Sequence, residues 1–197
     1  APVLFSDADG SYQNALGQVK KMATGNRYTV FSLWDTFRAL NPLFTVTQPG
    51  RFTELINTML AFYDENGLLP VWDLSACETN CMTGYHAIPV IADAILKNSK
   101  GINVEKAFTA MKTSAMQNIR GTDLYRQYGY IPKDKYGSSV TVTIEYAYDD
   151  WCIAQVAKKL GKEDDYKIFM QRSESWKKLF DPAMGFIRAK NSDGSWV

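Results

Sequence analysis

Four groups of side chains in this sequence have the types and spacing to act on a polar substrate. Glu78 lies in the run Trp72-Asp73-Leu74-Ser75-Ala76-Cys77-Glu78-Thr79-Asn80-Cys81. Its weakly polar neighbours would desolvate the carboxyl and raise its pKa, as a general acid at neutral pH requires. The same residue also reads as a cap for the helix that follows. Tyr146, Tyr148, Asp149, Asp150 and Trp151 form a second group. Adjacent aspartates on a helix point ~100° apart, so one is expected to face the interior and the other water. Arg188, Asn191 and Asp193 form a third, in a closing Asp-Gly turn of a common kind. Trp34, Asp35 and Arg38 form the fourth. Here Trp34 and Arg38 share a helical face, and Asp35 is spaced to pair with Arg38. That arrangement reads either as a salt bridge beside a core ring or as a platform for a sugar, with a carboxylate to grip hydroxyls.

Other chemistry is narrowed by counting. His86 is the only histidine, so any histidine-based triad or metal set has one residue to hang on. Three cysteines, Cys77, Cys81 and Cys152, make no closed disulfide framework, and with one histidine they complete no usual zinc set. Buried free thiols are the expectation, with a Cys77–Cys81 bridge left open. An oxygen-ligated cation such as calcium also stays open. With 22 Lys+Arg against 21 Asp+Glu, there is no basic surplus for nucleic acid. No apolar run reaches the ~18 residues of a membrane span. The 197 residues are enough for one domain or two small ones.

These groups must be positioned by helices. Apolar residues at Phe52, Leu55, Ile56, Met59, Leu60 and Tyr63 follow the i, i+3, i+4, i+7 spacing and stop at Asn66-Gly67. Similar patterns predict helices over 34–47, 85–98, 104–119 (with Asn103 as N-cap), 142–160 and 163–180, plus a helical turn over 124–128. In succession they pair as 34–47 with 51–66, 85–98 with 104–119, and 142–160 with 163–180. The fold class expected is all-α, built of helical hairpins with little β structure. Long loops rich in Trp, Tyr and carboxylates separate the hairpins, which favours function in the loops.

Several runs together resemble glycoside hydrolase family 92. They are Phe31-Ser-Leu-Trp-Asp-Thr-Phe-Arg38, Glu78-Thr-Asn-Cys-Met-Thr-Gly-Tyr-His-Ala87, Gly129-Tyr-Ile-Pro132, Glu145-Tyr-Ala-Tyr-Asp-Asp-Trp151 and Asn191-Ser-Asp-Gly-Ser-Trp196. The resemblance spans nearly the whole chain. It implies an exo-acting, inverting, calcium-dependent α-mannosidase with an N-terminal β-sandwich and an (α/α)6 toroid. Residues 1–197 would then be a partial catalytic domain, the front part of that toroid. The sandwich and the rest of the toroid would be absent, and the fragment alone would be inactive and prone to self-association.

By the same resemblance, Glu78 is expected as general acid and Asp193 as base, with Asp150 in reserve. Trp34, Asp35, Arg38 and His86 are expected to bind the terminal mannose of a glycan. Asn80 and Glu145 are the expected calcium ligands. One departure stands out: Lys133-Asp134-Lys135 follows Pro132, where α-1,2-acting members carry a His-Glu pair, which leaves the linkage open. The resemblance also implies a periplasmic or extracellular setting. The competing class is a non-catalytic helical module that binds glycan or protein, with Glu78 and Asp193 merely structural. Convergence of Glu78, Trp34 and Asp35 on one surface would favour the enzyme.

Overall fold

The computed structural model describes residues 2–197, which fold as two compact units, 1–114 and 115–197. The first unit begins with short paired strands. β1 (Val3–Leu4) pairs antiparallel with β4 (Tyr28–Thr29), and β2 (Ser11–Gln13) with β3 (Val19–Lys21). β5 (Phe31–Ser32) then leads into α1 (Leu33–Thr36), α2 (Leu40–Thr47) and α3 (Pro49–Asn66).

The helix expected over 34–47 is therefore broken. Pro42 lacks an N–H and would leave the carbonyl four residues back unpaired in a helix interior, so it is tolerated only in a first turn. The chain meets that demand by restarting the helix at Leu40. Arg38 closes the break by donating to the Trp34 carbonyl from Nε (3.2 Å) and Nη2 (3.0 Å). α3 runs as its period predicts, with Pro49 in its first turn and Gly67 at φ +79° closing its end. Its face of Phe52, Leu55, Ile56, Met59 and Phe62 is buried.

A three-stranded sheet joins β5 to β6 (Trp72–Leu74) and β7 (Cys77–Glu78), in the order β5-β6-β7. α4 (Ala87–Leu96) follows, apolar almost all round and buried along most of its length. α5 (Val104–Ala115) starts where Asn103 Oδ1 accepts the Lys106 N–H at 3.0 Å. α4, apolar almost all round, packs on both α2 and α3. α5 buries Ala107, Phe108, Ala110 and Met111, and it also meets α3 through polar side chains: Lys106 to Asp64, and Tyr63 to Thr113 at 3.3 Å.

In the second unit, α6 (Thr122–Tyr128) lies between two left-handed glycines, Gly121 and Gly129. α7 (Ser139–Lys159) and α8 (Glu163–Ser173) form the antiparallel pair the sequence predicts, turning at Gly161. α8 stops short of Phe180 and tightens into a 3-10 helix over Glu174–Leu179. β8 (Phe180–Asp181) and β9 (Phe186–Ile187) close the unit as a short hairpin. The helical share is large, but nine short strands among the described residues make the chain more than the all-α arrangement expected. Turn-rich segments pair locally to satisfy backbone N–H and C=O groups that no helix takes up.

Candidate active-site face

The sheet β5-β6-β7 brings two of the singled-out runs together. Phe31 pairs with Asp73, Ser32 with Trp72, and Asp73 with Glu78. Ser32 Oγ accepts the Trp72 indole N–H at 3.0 Å and donates to Asp35. Trp34 is half-buried, while Asp35 and Arg38 are exposed beside it. The Arg38 guanidinium lies over the rings of Trp34 and Phe37, at 5.4 and 4.7 Å from their centroids. Glu78 thus stands on β7 of the sheet whose first strand, β5, runs directly into α1 with Trp34 and Asp35.

Glu78 is held by its own hairpin. Its Oε2 accepts the Val71 N–H at 2.7 Å, and its Oε1 accepts those of Trp72 (3.1 Å) and Asn80 (2.8 Å). The weakly polar surroundings expected from its neighbours are thus lined with backbone donors. Sequence composition cannot show backbone N–H groups turned inward, and this is the physical reason for the difference.

His86 is enclosed, at 1% exposure. Its ring stacks on Phe37, with centroids 4.3 Å apart and planes 18° apart. Gly84 lies beneath it, so close that a Cβ there would fall 2.3 Å from His86 Nε2. In this conformation the ring is a packing element that anchors the 31–38 segment, and no sugar reaches it. Cys77 and Cys81 are exposed and unbridged rather than buried, while Cys152 is buried as expected and forms no disulfide.

A buried charge network behind the sheet escaped the sequence reading. Arg27, fully buried, donates to the Thr58 carbonyl (2.7 Å) and to Glu65 (3.2 Å), and stands 3.8 Å from Asp73. Glu65 also accepts the Tyr12 hydroxyl at 2.6 Å. Asp73 is itself buried, and desolvation pushes its pKa up to about 6, although the Thr29 hydroxyl and the Arg27 charge oppose that rise. Nothing in the local sequence marks Arg27 or Asp73 as buried; only their distant partners make that burial tolerable.

In the second unit both adjacent aspartates are buried, contrary to the expectation that one would be solvated. Asp150 accepts Arg172 Nε at 2.8 Å. α8 covers one side of α7, and Tyr125 of α6 meets Tyr146 of α7 edge to face in the same interior. Water therefore reaches neither carboxylate. Asp193 is exposed and accepts both the Ser195 hydroxyl (2.6 Å) and the Ser195 N–H (2.9 Å). Those two donors hold its carboxyl below the usual range, against the opposing charge of Asp134. Asp134 fixes the same turn by accepting the Ser192 N–H (2.8 Å) and hydroxyl (2.6 Å). Tyr130 donates to the Asn191 carbonyl at 2.8 Å, so the Gly129–Pro132 run is tied to the closing segment.

Among the described residues, no three His, Cys, Asp or Glu side chains gather as ligands for an ion. Asn80 lies in the first unit and is exposed at φ +53°; Glu145 lies half-buried on α7 in the second. These two are the residues that the resemblance expects to hold calcium.

All 197 residues match the model of the glycosyl hydrolase family 92 catalytic domain. The chain belongs to this family. Over its whole length it is 47% identical, with a TM-score of 0.97, to a family GH92 α-mannosidase of Bacteroides thetaiotaomicron solved in complex with mannoimidazole, covering 26% of that chain. It is 31% identical (TM-score 0.86) to a second protein of that organism, described as a family GH92 inverting mannosidase, and covers 28% of it. It is also 26% identical over 97% of its length to an uncharacterized secreted glycosidase of Arthroderma benhamiae, covering 30% of that protein. The chain thus spans about a quarter to a third of the length of these relatives.

Proposed function

We propose that this chain is part of an exo-acting α-mannosidase that removes terminal α-mannosyl residues from glycans with inversion. One observation carries the reading. The Glu78 hairpin pairs with β5, the strand that runs directly into the Trp34–Asp35–Arg38 segment, in a chain matching over its whole length a family relative solved in complex with mannoimidazole. A half-buried indole offers a face for a pyranose, and the exposed Asp35 carboxylate and Arg38 guanidinium offer partners for hydroxyls.

Inversion needs an acid to protonate the leaving oxygen and a base to activate water, with carboxyls ~6.5–9.5 Å apart. Asp193 suits the base: it is exposed, and its hydrogen bonds keep it ionised near neutral pH. Glu78 is the acid that the resemblance implies. The three amide donors on its carboxylate favour a second reading, in which Glu78 locks the hairpin that carries Trp72. Asp150 is the weaker reserve for the base, because it is buried against Arg172.

Calcium dependence, the (α/α)6 toroid, the inactivity of residues 1–197 alone and a periplasmic or extracellular setting all belong to this proposal. Among the described residues no helix is long and apolar enough to cross a membrane. Exposed Leu43 and Val46 on α2, and Trp151 on α7, support self-association of the isolated chain. The test is mannose release from an α-mannosyl glycan by the full-length enzyme, with and without a chelator, with the anomer of the product read by NMR. Release of β-mannose that a chelator abolishes is expected. Absence of mannose release would overturn the reading.

A further inference from the structure

The turn between β6 and β7 is built from residues that dislike it. Ser75 and Ala76 are the two central residues, and both are left-handed, at φ +52° and +64°. That is the pattern of a type I′ hairpin turn, which ordinarily calls for Asn-Gly. An L-residue with a Cβ pays for αL with roughly 1–2 kcal/mol, so two in succession persist only where their surroundings over-determine them. Three further non-glycine residues at the edges of this sheet, Val30, Asn80 and Met82, are also left-handed, at +65°, +53° and +70°.

Two buried side chains supply the determination. The Thr29 hydroxyl accepts the Ser75 N–H at 2.6 Å and donates to Asp73 Oδ1 at 2.9 Å. Asp73 Oδ1 accepts the Ala76 N–H at 3.0 Å. Both turn amides are thereby captured by one hydroxyl–carboxylate pair. Thr29 is 4% exposed and Asp73 0%, so no water substitutes for either. The turn sets the register in which Leu74 faces Cys77 and Asp73 faces Glu78, and this register places the Glu78 carboxylate over the amides of Val71, Trp72 and Asn80.

We infer that Thr29 and Asp73 are positioning residues, which hold the left-handed Ser75–Ala76 turn and through it fix Glu78 and Trp72 on the substrate face. The part that concerns substrate rests on the mannosidase reading; the part that concerns the turn does not. Arg27, 3.8 Å from Asp73 Oδ2, keeps the carboxylate oriented by drawing the other oxygen.

The test uses the full-length enzyme and two readouts: amide hydrogen exchange at residue resolution, and kcat/KM on an aryl α-mannoside. Thr29→Val removes the shared hydroxyl at nearly constant volume. Exchange at Ser75 and Ala76 should quicken about tenfold, the effect of one buried hydrogen bond. Val71, Trp72 and Asn80 should follow, and kcat/KM should fall by about the same factor. Adding Ser75→Asn with Ala76→Gly, the pair that prefers this turn, should bring both readouts back. If Thr29→Val does not fold, Asp73→Asn serves. There Arg27 attracts the amide oxygen and turns the NH2 onto the Ala76 N–H, and the same amides should respond.

Faster exchange confined to Ser75 and Ala76 would overturn the inference, since Glu78 would then not depend on the turn. A loss that the Asn-Gly turn does not repair would overturn it as well. If exchange spreads to Val71, Trp72 and Asn80 while kcat/KM holds, the positioning of Glu78 stands and this sheet's role in substrate binding falls. If the unaltered enzyme releases no mannose, the mannosidase reading falls alone, and exchange still decides the rest.

Discussion

The rings of Phe37 and His86 lie 4.3 Å apart and nearly parallel, and this stack joins the 31–38 run to the 78–87 run. His86 stands at the start of α4, and Phe37 sits at the break between α1 and α2. The stack therefore fixes the short helix α1, which carries Trp34 and Asp35, against a helix buried along most of its length. It works as a packing joint, with the sole histidine 1% exposed within it.

Gly84→Ala tests that joint. The new Cβ would fall 2.3 Å from His86 Nε2, at a backbone position with φ +79°. Crowding and left-handed strain together should cost about 2–3 kcal/mol. For a chain of this size that lowers the thermal midpoint by roughly 4–12 °C. A midpoint within a degree of the unaltered protein would show that the ring moves aside freely.

Glu78→Gln separates its two roles. A general acid is needed most for poor leaving groups, so its loss would slow glycans far more than activated aryl mannosides. The three amide donors lead us to expect comparable losses on both, because the glutamine NH2 must face an N–H where the carboxylate accepted one. Strong selectivity for the activated substrate would restore the acid role.

Asp150→Ala should destabilise the second unit by about 3–5 kcal/mol, since it leaves Arg172 without its buried counter-charge. Asp150→Leu combined with Arg172→Met should recover most of that loss, because neither charge is then stranded. Urea unfolding monitored by circular dichroism gives both values. A base would show the reverse pattern, with little change in stability and a large loss of turnover.

Asp73 gives the first unit a pH dependence of defined sign. Its pKa is raised from 3.8 when unfolded to about 6 in the fold, so between these values the native state keeps a proton that the unfolded chain has released. Stability from this group is therefore highest below about pH 4, falls as pH rises towards 6, and levels off above that. Urea midpoints at pH 4.5 and 7 should show the fall, and Asp73→Asn should reduce it. An unchanged slope in the variant would assign the dependence to other carboxylates.

Local periodicity and stop signals were enough to predict α3, α7 and the turn at Gly161, because a 3.6-residue apolar face and a left-handed glycine are properties of adjacent residues. Asn103 as a cap was legible for the same reason. The runs around Trp34, Glu78, Gly129 and Asn191 also carried the family. Tertiary structure alone decided what those side chains touch. Arg27 and Asp73 are buried only because Glu65, Thr58 and Thr29 come to them from as many as 44 residues away. Glu78 found backbone amides where its neighbours suggested apolar surroundings, and Asp149 and Asp150 were both covered once α8 and the α6 region closed over α7. Periodicity is written in near neighbours, whereas burial, charge pairing and the capture of a turn amide depend on residues that only the folded chain brings together.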